Sequence, residues 1–176
     1  KYKDLLYVSD EDIEKIKKII IEKVKNENIY ILNPSIEDLF NHRIFKLKCD
    51  DDIFYVPLWH SELQFTHLHE NEMSDINVMC VPELPDNIKI DQYNNIHYNV
   101  TISLKGILTK EVIEIFLCNL EDGERKNITI NVSELRITKF QSIILRKQGI
   151  AVINTEDSYN IDKLSDIIVH ITLTES

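Results

Sequence analysis

Glycine is scarce: only 3 occur in 176 residues, each at a turn or the end of an expected element. No Gly-rich phosphate loop and no Gly-x-Ser-x-Gly elbow can be assembled, which removes the common nucleotide-binding and serine-hydrolase patterns. The 3 cysteines, Cys49, Cys80 and Cys118, form no Cys-x-x-Cys pair. Neither a zinc site nor a disulfide framework is indicated, and scattered reduced thiols in or near strands are expected. Basic residues are outnumbered, 20 Lys and Arg against 30 Asp and Glu, giving a net charge of −10. Phosphate backbones and anionic membrane surfaces would be repelled overall, so no nucleic-acid or membrane partner is expected. No apolar run approaches the roughly 20 residues of a membrane helix, and no signal-peptide pattern opens the chain. A soluble, cytoplasmic protein is the expectation. The first residue is Lys1 rather than Met, which predicts a piece of something longer.

What is present is organised around Leu32 to Phe65. An extended arm enters the Ser-capped amphipathic turn of LNPSIEDLF, and two apolar strands follow on either side of Asp50-Asp51-Asp52. Sixty-eight positions after Ser35, ISLKGIL repeats the pattern at Ser103, again after one strand and before another. Recurrence at that spacing predicts two similar β-rich halves in tandem.

Upstream, Ser9 with Asp12 resembles a capping box, and Ile13, Ile16, Ile20 and Val24 recur at helical spacing, so residues 10–26 are predicted to be a helix. Strands are expected at Asn28 to Leu32, Ile44 to Leu47, Ile53 to Leu58 and Ile76 to Val81, with a polar loop from Thr66 to Asp75. LPDNIKIDQYNN carries turn residues. From Ile96 the alternation is clean, with Ile96, Tyr98, Val100 and Ile102 on one face and His97, Asn99 and Thr101 on the other. Val112 to Leu117 should pair with Ile128 to Val132 across the Asp122-Gly123 hairpin signal. Ile143 to Leu145, a Gly149 turn and Ile167 to Leu173 close the chain. Three Asn-x-Ser/Thr triplets, at Asn99, Asn127 and Asn131, fall within strand-like alternation and read as chance matches.

The order of these motifs resembles the C-terminal substrate-binding region of the J-domain co-chaperones, the Hsp40 or DnaJ family. LNPSIEDLF resembles the family's opening strand and Ser-Leu-Glu-Asp-Leu-Phe turn, and RIFKL its next strand. LPDNIKIDQYNNIHYNVTISLKGIL resembles the junction into the second domain, LEDG its hairpin, and QGIAVIN with SDIIVHITL its Gly-Met-Pro turn and closing strand. The similarity spans roughly Asn28 to Leu173. It implies a mainly β chain with two tandem β-sandwich-like domains, each with a short helical turn, preceded by the N-terminal helix: 1–27 helical, 28–97 the first, peptide-binding domain, and 98–176 the second. No His-Pro-Asp tripeptide, Gly-Phe-rich linker or Cys-x-x-Cys-x-Gly-x-Gly repeat is present, so the non-zinc subclass is implied. Trp59 and His60 lie where the family has Pro-Gly-rich turns.

By that resemblance the chain is a binding protein without cofactor rather than an enzyme. It would take unfolded, extended hydrophobic polypeptide by strand addition and deliver it to Hsp70. The implied pocket residues are Tyr30, Leu32, Phe45, Leu47, Val78 and Ile88. Arg43, Lys46 and Lys48 could receive the acidic Hsp70 tail. A homodimer in the intact protein would form through parts outside this chain. Two other readings stand beside this one: a β-sandwich scaffold without a peptide groove, and a metal-dependent enzyme using His60, His67 and His69 with Glu62, Glu70 and Glu72.

Overall fold

The computed structural model describes residues 28–69 and 72–175, together with Lys15. The helix expected over 10–26 lies outside the described residues except at Lys15, which is helical. The described chain is mainly β and forms two compact units, residues 28–31 with 62–79, and residues 32–61 with 80–175. The first carries a three-stranded sheet in the order β1–β5–β4, from β1 (Asn28–Leu32), β4 (Glu62–His69) and β5 (Glu72–Cys80). β4 and β5 are antiparallel, with Glu62 opposite Met79 and His69 opposite Glu72. Ile76 and Val78 are fully buried on one face.

This hairpin corrects an expectation of loop, because residues 66–69 and 72–75 are strand. The sequence there is mostly polar, but the ladder is supported across the strands, where Gln64 Nε2 donates to Asp75 Oδ2 at 2.9 Å. Cross-strand polar pairs of this kind stabilise a hairpin that hydrophobic alternation does not announce.

The second unit contains two copies of one local pattern. In the first, Ser35 caps α1 (Ile36–Phe40) with a reciprocal box: its hydroxyl accepts from Asp38 N–H, and Asp38 Oδ2 accepts from Ser35 N–H at 2.8 Å. The hairpin of β2 (Ile44–Cys49) and β3 (Asp52–Pro57) follows. In the second, β7 (Ile96–Ser103) leads to α2 (Leu104–Leu108), where Ser103 Oγ accepts from Gly106 N–H at 3.1 Å. The hairpin of β8 (Val112–Asn119) and β9 (Arg125–Asn131) follows, with Gly123 at φ 85° in its turn. Each helix is too short to stand alone; its cap and its buried aliphatic residues hold it.

The largest sheet runs β10–β11–β7–β6, from β10 (Phe140–Leu145), β11 (Ile167–Thr174), β7 and β6 (Ile88–Ile90). β11 lies parallel to β7 with Ile167 opposite Ile96, and the other pairs are antiparallel. Ile167, Val169, Ile171 and Leu173 are buried along one face of β11, as is Ile96 on β7. β6 sits inside the stretch read as turn. It has three residues, too few for periodicity to register. Cys49, Cys80 and Cys118 are buried free thiols, and burial pushes Cys80 and Cys118 up to about 11. No described helix is long and apolar enough to cross a membrane.

Candidate functional site

β2 is placed by the turn before it. His42 takes a left-handed backbone (φ 50°) after the cap at Asn41, and Arg43 N–H donates to Asp38 C=O at 3.0 Å. On the other side of Arg43, Leu58 N–H donates to its carbonyl at 3.1 Å, so the hydrogen-bonded pairs of the β2–β3 hairpin fall on odd-numbered residues of β2. In an antiparallel ladder the alternate residues then turn their backbone groups away from β3. Ile44, Lys46 and Lys48 therefore present N–H and C=O groups to the open side of β2. The opposite edge is blocked, because Pro57 has no N–H and Tyr55 C=O accepts from the Tyr159 hydroxyl at 2.8 Å.

Beside the open edge lies a cleft of about 330 Å³. Leu32, Pro34, Ile44, Phe45 and Leu58 form its apolar walls, with Asp38 and Arg43 at the rim. Phe45 is 43% exposed and Ile44 47%, a high value for large apolar side chains on a strand. The cleft offers an apolar surface next to backbone groups that no described strand pairs. That combination suits an extended chain.

The six residues expected to line a pocket fall in both units. Leu32 and Phe45 meet at this cleft. Leu47 shares the strand face of Phe45 but is 7% exposed, because that face passes from open cleft to core within two residues. Ile88 is buried at 4% on β6, within the core of the large sheet. Tyr30, half-buried, and the fully buried Val78 belong to the three-stranded unit. Leu47, Val78 and Ile88 are corrected to packing residues, since side chains so enclosed have no surface left for a ligand.

Of the three cations expected to attract a carboxylate, Arg43 is already engaged. Its Nη1 lies 2.6 Å from Asp38 Oδ1 and its Nε 2.7 Å from Glu121 Oε1. Hydrogen bonds to Glu121 and then Asp38 raise its basicity further. Burial acts to raise the Asp38 carboxyl, but hydrogen bonds from Ser35 and Arg43 outweigh it and hold Asp38 below 3.8. Lys46 and Lys48 are exposed along the open edge of β2. The Glu121 contact extends: Glu121 N–H donates to Asn41 Oδ1 at 3.0 Å and Asn119 N–H to Glu37 Oε1 at 3.3 Å. The turn of the β8–β9 hairpin is thus fastened to α1 and to the rim of the cleft.

The histidine cluster weighed as a metal centre divides. His60 is buried, and its Nε2 lies 2.9 Å from Ser158 C=O. A carbonyl only accepts, so the ring carries Nε2–H and donates. Burial lowers His60 below 6.5 against the opposing effect of that bond. His67, His69 and Glu72 lie on strands of the other unit, with side chains outside the described residues, as is all of Glu70. Among the described residues no three His, Cys, Asp or Glu groups are gathered to hold a metal.

Sequence reasoning missed a polar chain on the outer face of the large sheet. Asp91 Oδ2 is 3.3 Å from His97 Nε2, His97 Nδ1 is 2.9 Å from His170 Nε2, and His170 Nδ1 is 2.9 Å from Ser142 Oγ. Asp91 accepts from Tyr93 N–H and from Asn95, which fixes it as the terminal acceptor. The neutral tautomers follow: Ser142 donates to His170, His170 to His97, and His97 to Asp91. Two protonated rings could not share the central bond. Burial, and then the charge of His97, lower His170 below 6.5. The native state therefore favours the neutral His170 ring. Its contribution to stability is complete above the unfolded value near 6.5 and is lost as pH falls below it. His60 and His42, both lowered by burial, act in the same direction. The urea midpoint should be flat between pH 6.5 and about 8 and decline toward about pH 5, with a smaller decline in His170→Gln. A wild-type midpoint unchanged over that interval would contradict the assignment.

No family model matches this chain, and no curated protein matches it.

Proposed function

We propose that this chain is the substrate-binding region of a J-domain co-chaperone, which holds unfolded, extended apolar polypeptide and passes it to Hsp70. The observation that carries the reading is the open β2 edge beside the Leu32–Phe45 cleft. A peptide adding there would complete the outward backbone groups of Ile44, Lys46 and Lys48 and place alternate apolar side chains against Phe45. Main-chain bonds would accept any sequence, and the cleft would select hydrophobic side chains. Lys46 and Lys48 would favour a carboxylate at the same edge, which is how the acidic Hsp70 tail would compete with a client.

In this reading the strand, Ser-capped turn and hairpin around α1 and the matching series around α2 are the same unit twice. They belong to two β-sandwich-like domains, 28–97 and 98–176. The scaffold alternative has one observation in its favour: Glu121, Asn119 and Arg43 fasten the two series together beside the cleft, as an assembly domain would require.

The test is fluorescence anisotropy of a labelled alternating apolar peptide titrated with wild type and Phe45→Asp. Phe45 is 43% exposed, so the variant should fold. Micromolar binding that weakens about tenfold or more in Phe45→Asp is expected. The same peptide N-methylated on the strand-pairing edge should also lose affinity. Equal binding by both proteins would take the site away from the β2 cleft, and none by the folded wild type would move the assignment to a scaffold.

A further inference from the structure

We propose that the free edge of β10 is a second peptide-binding site, distinct from the β2 cleft, and that its ligand is an extended apolar segment carrying carboxylates at both ends. Leu173 N–H donates to Lys139 C=O at 2.8 Å, so Gln141, Ile143 and Leu145 pair with β11. Phe140, Ser142 and Ile144 then turn their backbone groups outward, where the Phe140 C=O accepts from the Thr138 hydroxyl at 3.2 Å and the groups of Ser142 and Ile144 face no described strand. β10 is the terminal strand of its sheet, and no described strand pairs with that side.

The two ends of this sheet differ. β6, at the other edge, is three residues long and carries exposed Lys89, a common protection against strand addition. β10 has six residues, FQSIIL, with no proline and no charge, and its exposed positions are apolar at both ends. Phe140 is 69% and Ile144 54% exposed, flanking Ser142 on one face. Long, uncharged, apolar edges are normally covered or paired.

Charge names the occupant. Residues 136–147 contain Arg136, Lys139, Arg146 and Lys147 and no acidic residue, in a chain whose net charge is −10. All four are exposed, two before the strand and two at its end, and none forms an ion pair among the described residues. Lys139 Nζ lies 5.3 Å from the Phe140 ring centroid, which keeps its charge beside the apolar edge. Six strand residues span about 20 Å, so the matching ligand is a stretch of about six residues, apolar at alternate positions, with Asp or Glu at each end. A second copy of this acidic chain is the competing occupant, because its edge strand β4 begins at Glu62 with Leu63 and Phe65 at alternate positions.

The test uses the full chain and two labelled peptides with the same alternating Val-Thr core, one flanked by paired glutamates and one by paired lysines. The glutamate-flanked peptide should bind at least about tenfold more tightly at low salt, with the advantage reduced as ionic strength rises. Lys139→Glu and Arg146→Glu, at opposite ends of the edge, should each weaken it severalfold and together reverse the preference. In a Phe45→Asp background, which removes the β2 cleft, the glutamate preference and its loss on the two charge reversals should both persist, which separates this site from the β2 cleft. Equal affinity for both peptides, indifference to both charge reversals in folded protein, or loss of the preference in that background would overturn the proposal. So would a concentration-dependent dimer, seen by sedimentation, that Ile144→Lys disperses.

Discussion

Asn94→Ala should cost about 3–7 kcal/mol of unfolding free energy, a large share of the stability of a domain of this size. Asn94 is 6% exposed, and its Nδ2 donates to both Trp59 C=O at 2.8 Å and Ala151 C=O at 2.7 Å. Those carbonyls belong to segments far apart in sequence, so one side chain ties the end of the β2–β3 hairpin to the loop after Gly149. Truncation leaves two buried acceptors unpaired, at about 1–3 kcal/mol each. The backbone adds to this: Asn94 sits at φ 65°, where asparagine is tolerated and alanine costs about 1 kcal/mol. Asn94→Gly removes the hydrogen bonds without that strain and should be milder by about that amount. Urea unfolding of the three proteins measures the difference. An alanine variant within 1 kcal/mol of wild type would show that water replaces the amide and that the tie is not structural.

The local part of this architecture was legible in the sequence and the long-range part was not. Ser35 and Ser103 announce their short helices because capping is encoded within four residues. Asp122-Gly123 announces its hairpin, and the alternation from Ile96 announces β7 with its buried face. The strands over 66–69 and 72–75 were hidden because their sequence is mostly polar, while cross-strand bonds such as Gln64 to Asp75 support the ladder without hydrophobic alternation. The parallel pairing of β11 with β7 leaves no local mark, since its register is set by burial of Ile96 against Ile167 and Val169 in the finished sheet. At the candidate site, the two-residue spacing of Phe45 and Leu47 gave the shared face correctly but not the depth at which each residue lies on it. The use of Arg43 could not be read at all, because Glu121 is 78 positions away.

The two open edges, β2 and β10, have different chemistry. Each turns alternate backbone groups toward a side where no described strand pairs, and in both cases an apolar ring stands beside them, Phe45 at one and Phe140 at the other. At β2 the arginine of the rim is neutralised by Asp38 and Glu121, so selection there rests on the cleft and on Lys46 and Lys48. At β10 four cations without ion-pair partners among the described residues flank an uncharged strand. Backbone pairing is common to both, and charge would divide the ligands between them.

Gly149→Ala should be as disruptive as the loss of Asn94, for the opposite reason: it adds atoms where none fit. A Cβ at this position overlaps Ser165 Oγ and comes within 3.0 Å of Ser165 C=O. The approach is enforced by backbone bonds, since Gly149 N–H donates to Ser165 C=O at 2.9 Å and Ser165 N–H to Ile150 C=O at 2.8 Å. Relief requires these two segments to separate at the entrance to β11, which would loosen the burial of Ile150 and Ile167, both within 1% of full enclosure. Overpacking of this severity costs about 1–3 kcal/mol and more when backbone must move. The partner residue supplies the internal control. Ser165 Oγ is buried with no hydrogen-bond partner among the described residues, so Ser165→Ala alone should be neutral or slightly stabilising. In Gly149→Ala with Ser165→Ala the hydroxyl clash disappears while the 3.0 Å approach to the carbonyl remains. The double variant should therefore recover about half of the loss, a coupling that urea midpoints resolve easily. Strict additivity of the two substitutions would show that the backbone shifts to admit the methyl group, and that the close pairing of Gly149 with Ser165 does not set the position of β11.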